Sequence, residues 1–238
     1  MSDARAAELA ANLAEVQARV DAACLAAGRD PGEVTLIVVT KTWPSDDVRR
    51  LAGLGVRDVG ENRDQEAAPK AAATEGLDLR WHFIGQLQTN KAASVARYAE
   101  LVHSVDRVSL VAALDKGAAK AGRRIGCLIE VDLTGGEEGR GGARPDEVAA
   151  LADAIASSEN LDLRGVMGVA PLDRDDQRAA SAAAFARLAA ISADVRQAHP
   201  QATLISAGMS EDLEEAVAAG ATHLRVGSAV LGTRPSLG

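Results

Sequence analysis

The sequence predicts an α/β protein, a (β/α)8 TIM barrel with an extra N-terminal helix. Eight short segments rich in β-branched and apolar residues recur along the 238 residues, and Ala-rich stretches of helical period separate them. Alternation of strands with helices is typical of a parallel α/β sheet. Eight such units in a chain of this length fit a closed barrel better than an open Rossmann sheet, which usually has fewer strands.

The first segment of the chain has the pattern of an amphipathic helix. Apolar side chains recur at helical spacing between residues 3 and 27, at Leu9, Leu13, Val16, Val20 and Cys24. Gly28 and then Pro31-Gly32 follow, which is typical of a helix end. We therefore expect residues 1–33 to form a helix and turn, and residues 34–238 to form the barrel.

Eight predicted strands follow this helix. The first, Val34 to Thr40, is short, β-branched and apolar, as expected of a parallel strand buried on both faces. The others lie at residues 56–59, 80–84, 100–104, 125–133, 161–169, 202–206 and 222–226. Capping oxygens or acids open several of the intervening helices, at residues 45–47, 89–90, 145–147 and 210–212. The Gly-rich patch at 135–142 fits the loop after the fifth strand, and no linker divides the chain, so residues 1–238 are predicted to form one domain.

Composition excludes several classes of function. With 26 basic and 34 acidic residues the net charge is −8, so the chain has no electrostatic footprint for nucleic acid or an anionic membrane. No apolar run approaches the roughly 18 residues of a membrane helix, and the N-terminus lacks a secretory pattern. We expect a cytoplasmic protein, in which Cys24 and Cys127 are buried, reduced thiols.

Lys41 is the first candidate for chemistry. It directly follows the first predicted strand, at the barrel end where active sites converge. A lysine at the rim of a buried strand loses hydration, which favours the free amine that attacks carbonyls, so Schiff-base chemistry is possible. The alternative is a lysine whose ammonium simply reaches solvent at the strand end.

The loops after the seventh and eighth strands are candidates for a phosphate cup. They read Ser206-Ala207-Gly208-Met209-Ser210 and Gly227-Ser228, and each leads into a predicted helix. Barrels often bind phosphate with these two loops, because glycine lets backbone N–H groups approach an anion and serine adds a hydroxyl. Ordinary turn and capping chemistry is the alternative.

Arg225 is a charge inside the otherwise apolar last strand. Burying an unpaired guanidinium is costly, so this side chain should face the barrel mouth and meet a ligand. An internal ion pair to Glu130 or Asp132 is equally compatible with the sequence.

The remaining polar and sulfur-bearing candidates favour structural roles. His82 lies in the third predicted strand and fits a half-buried structural histidine better than a proton-transfer group. Met167, near the end of the sixth strand, fits the core or a pocket wall. The other histidines show no metal-ligand spacing; they are His103, His199 and His223.

Six motifs, taken together, resemble one family closely. They are Val39-Thr40-Lys41, Gly60-Glu61-Asn62, Trp81-His82-Phe83-Ile84-Gly85, Ser104-Val105-Asp106-Arg107, Gly208-Met209-Ser210 and Arg225-Val226-Gly227-Ser228. The family is that of the pyridoxal phosphate homeostasis proteins, which is similar to the barrel domain of alanine racemase. The resemblance runs from about Asn12 to Thr233 in matching order and spacing.

The resemblance implies that Lys41 forms a Schiff base with pyridoxal 5′-phosphate. It also implies that Arg225 lies beside the pyridine nitrogen, with Asn62 and Met167 as pocket neighbours. The implied phosphate cup consists of Ser206, Gly208, Gly227 and Ser228, and no catalytic residue is implied. Four positions depart from the family's usual residues: Arg63, where an aromatic is common, Ala207, where Met is common, Arg140, where Lys is common, and Ser228, where Thr is common.

These observations predict a carrier or regulator that holds pyridoxal 5′-phosphate reversibly, keeps the free cofactor low and supplies it transiently to apo-enzymes. An arginine beside the ring nitrogen favours an unprotonated ring, which is a weaker electron sink than a carboxylate-paired one. The family resemblance suggests a monomer. The alternatives are a low-activity amino-acid racemase, a cofactor-free Schiff-base aldolase and a phosphate-sugar scaffold without covalent chemistry. The racemase takes a second base, a tyrosine, from another domain, and this sequence holds only Tyr98.

Overall fold

The computed structural model describes residues 4–135, 141–172 and 175–232. In it eight parallel strands form a closed barrel in chain order, from the first strand around to the eighth and back to the first. Helices alternate with these strands, and one long helix precedes them. The predicted fold class is therefore confirmed.

The strands lie where the sequence predicts them, with ends that differ by at most two residues. They are β1 (Thr35–Val39), β2 (Asp58–Glu61), β3 (Arg80–Phe83), β4 (Ala99–Val105), β5 (Ile125–Val131), β6 (Leu161–Gly168), β7 (Leu204–Ser206) and β8 (His223–Val226). Register at the closing seam places Ile37 opposite Arg225 and Val38 opposite Val226. Because β8 closes on β1, the segments that follow these two strands meet at one side of the barrel mouth.

The helices surround the barrel. They are α1 (Ala4–Ala26), α2 (Ser45–Gly53), α3 (Asp64–Ala73), α4 (Ala92–Val95), α5 (Val108–Ala121), α6 (Val148–Ala156), α7 (Gln177–Ala198), α8 (Leu213–Ala218) and α9 (Ser228–Leu231). The predicted helix openings at 45–47 and 210–212 lie at the starts of α2 and α8, whereas those at 89–90 and 145–147 lie in 3₁₀ turns before α4 and α6.

Most of the apolar core lies between the sheet and the helices. Inside the barrel the described apolar cluster is small and consists of Leu101, Leu128 and Met167, with Val169 and Leu204 packed against it. The rest of the interior includes buried polar side chains, those of His82, His103, Ser206 and Arg225. The interior of this barrel is therefore more polar than is usual for the fold. Its buried polar side chains need hydrogen-bond partners.

The first helix packs against the last two helices that the structure describes. Its predicted apolar face is buried at Leu9, Val16, Val20 and Cys24. On another face, Asn12 Nδ2 donates to the carbonyl oxygen of Val230, 3.0 Å away in α9, and Arg19 lies 2.9 Å from Glu214 of α8. Helix α1 thus packs directly against the two helices that follow β7 and β8.

Two further expectations concern burial and the membrane. Cys24 and Cys127 are both buried and unpaired, as predicted. Over the described ranges, the structure contains no helix with the length and apolar character needed to cross a bilayer.

Candidate functional site

A cavity of about 610 Å³ opens at the carboxyl ends of β1 and β8. Four of the predicted site residues line it, namely Lys41, Arg225, Gly227 and Ser228. Its volume lies within the range of roughly 300–1,000 Å³ that is usual for small-molecule sites. Lys41 is partly exposed, and no hydrogen bond or ion pair engages its amine among the described residues.

The backbone turns sharply just after Lys41. Thr42 has a φ of 70°, which is unusual for a β-branched residue, and such a conformation costs about 1–3 kcal/mol. The N–H of Thr42 donates to Glu66 Oε2 at 2.8 Å, and the N–H of Trp43 donates to the carbonyl oxygen of Thr40 at 3.1 Å. These bonds maintain the strained turn that carries Lys41.

A buried polar cluster lies behind this turn. Lys70 Nζ lies 2.6 Å from Glu61 Oε1 and donates to the carbonyl oxygen of Thr40 at 2.8 Å. Thr40 Oγ1 donates to the same Glu61 oxygen at 2.8 Å. Burial raises the pKa of Glu61 although Lys70 opposes the shift. The cluster therefore ties the end of β2 and helix α3 to the residue that precedes Lys41.

Two hydroxyl groups lie next to each other in the wall of the cavity. Ser210 Oγ lies 3.3 Å from Ser228 Oγ, and both residues line the cavity. Ser228 begins α9, and the first N–H groups of a helix have no acceptor within it. Gly227 lies close to β1, because a Cβ at this position would be 3.3 Å from the carbonyl oxygen of Val39. Hydroxyls and free N–H groups are suitable donors for a tetrahedral anion.

The structure differs from the prediction at Ser206 and Gly208, since neither lines the cavity. Ser206 is fully buried, and its Oγ accepts a hydrogen bond from Arg225 Nη1 at 2.6 Å. Gly208 has a φ of +88°, and a Cβ there would lie 2.6 Å from Ala216 Cβ in the packed interior. The carbonyl oxygen of Gly208 accepts from the Arg225 N–H at 2.9 Å. Both residues therefore accept hydrogen bonds that hold Arg225 in place.

Ser210 lines the cavity, although the family resemblance did not imply it as a cup residue. It belongs to the same loop, in the Gly208-Met209-Ser210 motif. Ser206 is the last residue of β7 and faces the barrel interior, whereas Ser210 lies beyond the strand. Its position just before the start of α8 was the available signal for a hydroxyl at the cavity.

Arg225 is 95% buried, with 5% of its surface exposed. Its Nη2 donates to the carbonyl oxygen of Gly168 at 3.0 Å in addition to the bond to Ser206. The guanidinium pairs with neither Glu130 nor Asp132 among the described ion pairs, although the sequence left that possibility open. Burial lowers its pKa to about 10, while Asp212 and Glu130 oppose the shift. Arg225 is therefore a cation at neutral pH, and it has five N–H donors in all.

A row of hydrogen-bonded side chains leads away from Ser206 through the barrel. Ser206 Oγ lies 2.9 Å from His103 Nδ1, and His103 Nε2 lies 3.0 Å from His82 Nδ1. His82 Nε2 lies 2.9 Å from Asp58 Oδ1. His82 is thus buried and fully hydrogen-bonded, which agrees with a structural role but exceeds the half-burial that the sequence suggested.

Asn62 and Met167 lie outside the lining of the Lys41 cavity. Asn62 lines a neighbouring cavity of about 840 Å³ together with Arg63. Its backbone packs against Gly85, where a Cβ would lie 2.2 Å from the Asn62 carbonyl oxygen. Met167 is buried in the inner apolar cluster, as a core residue.

The other positions that depart from the family pattern have simple environments. Ala207 is buried, and the Arg63 guanidinium lies 4.0 Å from Glu66 at the surface. Ser228 retains its hydroxyl at the cavity. Arg140 lies outside the described residues. Tyr98 Oη donates to Asp64 Oδ1 at 3.3 Å, and the Tyr98 ring packs edge-on against Trp81, away from the Lys41 cavity.

Comparisons with known proteins show which family and which solved structures the chain is similar to. The family model described as alanine racemase, N-terminal domain, matches residues 6–235. A pyridoxal phosphate homeostasis protein of Pseudomonas aeruginosa is 40% identical over 226 residues, which are 95% of this chain and 96% of the relative. A protein of the same name from Mycobacterium bovis is 41% identical over 97% of this chain and 94% of its own length.

Solved structures extend the comparison. PipY of Synechococcus elongatus, with pyridoxal phosphate bound, superposes with a TM-score of 0.81 at 33% identity, covering 94% of this chain and 100% of that chain. Alanine racemase from Corynebacterium glutamicum superposes with a TM-score of 0.68 at 16% identity, over 98% of this chain and 62% of that chain. At that identity the racemase shows a shared fold and nothing more.

Proposed function

The chain belongs to the family of pyridoxal phosphate homeostasis proteins, and from this premise we propose that it holds pyridoxal 5′-phosphate reversibly on Lys41. In this role it keeps the free cofactor low while making it available to other proteins. The observation that carries the proposal is the convergence of one amine, two hydroxyls and a buried guanidinium on a single cavity.

The donor set of the cavity fits the cofactor. When bound, pyridoxal 5′-phosphate supplies an aldehyde that condenses with a primary amine with loss of one water, a bond that water can cleave again. Lys41 provides the primary amine at the end of β1. Ser210, Ser228 and the first N–H groups of α9 provide donors for a phosphate group.

Arg225 favours storage of the cofactor over vigorous catalysis. Its guanidinium is held by Ser206 and by the carbonyl oxygen of Gly168, and its remaining N–H groups can serve an acceptor in the cavity. A permanent donor beside the ring nitrogen keeps that nitrogen unprotonated and weakens the ring as an electron sink. The position of Tyr98 against Asp64 also supports a role without a second catalytic base.

The rival functions make different predictions for Lys41. Purified protein incubated with pyridoxal 5′-phosphate should acquire a visible absorbance that is lost in Lys41→Ala and kept in the control Lys91→Ala, which alters the neighbouring cavity. Retained affinity for the cofactor in Lys41→Ala would favour a phosphate-binding scaffold. A colourless protein that borohydride traps with a sugar aldehyde would favour an aldolase.

Steady-state chemistry separates the carrier from the racemase. The loaded protein should exchange the α-hydrogen of alanine in deuterated water no faster than free cofactor does. Sustained exchange that depends on Lys41 would contradict the storage role. We further propose transient transfer to cofactor-dependent apo-enzymes, a monomeric state, one domain over residues 1–238 and a cytoplasmic location.

A further inference from the structure

We propose that Asp58, His82, His103 and Ser206 form a directed hydrogen-bond chain that positions Arg225 as a donor toward the Lys41 cavity. The proposal rests on the proposed function only for the identity of the ligand that Arg225 meets. It assigns positioning roles to residues that do not line the cavity themselves.

The chain crosses the barrel interior without a gap. Successive heavy-atom distances are 2.9 Å from Asp58 Oδ1 to His82 Nε2, 3.0 Å from His82 Nδ1 to His103 Nε2, 2.9 Å from His103 Nδ1 to Ser206 Oγ and 2.6 Å from Ser206 Oγ to Arg225 Nη1. All five residues are buried, with exposures between 0% and 7%. Burial protects such bonds from competition with water.

The two charged ends fix the direction of the bonds that they make themselves. Burial would raise the pKa of Asp58, but hydrogen bonds from Arg80 and His82 outweigh it and hold that pKa far below its ordinary value. Asp58 is therefore an acceptor and His82 donates to it through Nε2–H. At the other end Arg225 can only donate.

The histidines between these ends follow from the same logic. Burial holds the pKa of His103 well below its ordinary value, so this imidazole is neutral. In the proposed direction His82 Nδ1 accepts from His103 Nε2–H, and His103 Nδ1 accepts the hydroxyl hydrogen of Ser206. Ser206 then presents a lone pair to Arg225. A hydroxyl committed in this way holds the guanidinium in one orientation.

Neighbouring polar groups leave the chain intact. The His223 ring lies 6.2 Å from that of His82 and 6.5 Å from that of His103. Its Nδ1 contacts Thr222 Oγ1 at 2.9 Å. Arg80 Nε donates to Asp58 Oδ1 at 2.7 Å, the same oxygen that His82 contacts.

The direction of the chain can be tested without any cofactor. Nitrogen-15 NMR of the ligand-free protein, labelled at histidine, reports which ring nitrogen carries the hydrogen. The expected result is that His103 carries its hydrogen on Nε2 and that His82 carries a hydrogen on Nε2 and none on Nδ1, with His82→Asn and His103→Asn used for assignment. A hydrogen on His103 Nδ1 would overturn the proposal, whether or not the protein binds pyridoxal 5′-phosphate.

The effect on Arg225 is tested from the far end. In Asp58→Ala the chain loses its terminal acceptor, and we expect the dissociation constant of pyridoxal 5′-phosphate to rise about 3- to 10-fold, as for one lost hydrogen bond. The visible band should also change its pH midpoint. The control Arg57→Met removes the ion pair to Asp78 at the same barrel end, 3.2 Å in length, and should change neither quantity.

A near-end pair of variants covers the case in which Asp58→Ala does not fold. Ser206→Ala should reproduce the altered affinity and pH midpoint, and Ser206→Thr, which keeps the hydroxyl, should restore both. Folded Asp58→Ala or Ser206→Ala with a wild-type affinity and pH profile would contradict the positioning role. A wild-type protein with no visible band would instead contradict the proposed function, and the NMR result would still decide the chain.

Discussion

Lys70 Nζ donates a 2.8 Å hydrogen bond to the carbonyl oxygen of Thr40, the residue immediately before Lys41. Lys70 is 92% buried, with 8% of its surface exposed, and its other strong partner is Glu61 at 2.6 Å. The Lys70 ammonium is therefore buried, and its hydrogen bond to Thr40 holds the residue that precedes the strained turn. The position of Lys41, the amine proposed to bind the cofactor, depends on a second lysine that does not line the cavity.

Lys70→Met should destabilise the protein, because it leaves the Glu61 carboxylate buried without its cation. Breaking one half of a buried pair costs about 3–5 kcal/mol. Urea unfolding of Lys70→Met should show a loss of this order, and of less than about 0.5 kcal/mol for the exposed control Lys116→Met. The double variant Glu61→Leu/Lys70→Met should lose less than Lys70→Met alone, and a larger loss would argue against an unpaired charge as the cause.

Ser210→Ala and Ser228→Ala should each weaken binding of pyridoxal 5′-phosphate. A hydrogen bond to a charged group contributes about 1.5–3 kcal/mol, so each variant should raise Kd by at least 10-fold. Fluorescence or absorbance titration measures this change. Ser109→Ala, on the exposed surface of α5, is the matched control and should bind normally. Normal binding by both cavity variants would place the phosphate elsewhere.

Glu130→Gln should stabilise the protein at alkaline pH and have little effect in acid. Burial raises the pKa of Glu130 to about 7 from its ordinary 4.5, Asp106 adds to the shift and Arg225 opposes it. A carboxyl whose pKa is raised on folding contributes fully below pH 4.5, and the contribution is lost as pH rises through 7.

The measurement is the free energy of unfolding at pH 5 and pH 8. Glu130→Gln should gain on the order of 2 kcal/mol on wild type between these two conditions. The free energy of unfolding of the surface variant Glu75→Gln should differ from that of wild type by the same small amount at pH 5 and at pH 8. A Glu130→Gln advantage that is independent of pH would mean that the buried charge is not its source.

Gly85→Ala should disturb the mouth of the barrel. A Cβ at this position would lie 2.2 Å from the carbonyl oxygen of Asn62, which is far inside contact distance. We expect a loss of about 1–3 kcal/mol in the free energy of unfolding. Gly53→Ala, in α2, is the control because nothing lies within 4 Å of the added methyl, and it should stabilise the helix by about 0.5–1 kcal/mol. Equal effects would disprove the steric cause.

The strands could be predicted because parallel strands covered on both faces are mostly β-branched and apolar. Val34 to Thr40 shows this directly, since any polar residue inside it would need a partner. The place of Lys41 followed from the same reasoning, because the residue after such a strand meets solvent at the mouth. The order of strands and helices along the sequence was therefore enough to predict the fold and the position of Lys41.

Contacts between distant elements could not be predicted in this way. Ser206 and Ser210 are four residues apart and equally polar, and only the burial of the first separates their roles. Lys70 looks like an ordinary surface residue of an Ala-rich helix, because its partner Glu61 lies on a different element. The Asp58, His82 and His103 contacts join three strands, and each pairing depends on barrel register.

The contact between helices α1 and α9 has a consequence for folding during synthesis of the protein. Asn12 belongs to the first described helix, and its partner, the Val230 carbonyl, belongs to the last described helix. Ser228, which starts that helix, cannot take its place until the two are joined. A nascent chain that already exposes Lys41 but lacks α9 would therefore lack part of the pocket, and binding of pyridoxal 5′-phosphate should begin only after α9 has been synthesised.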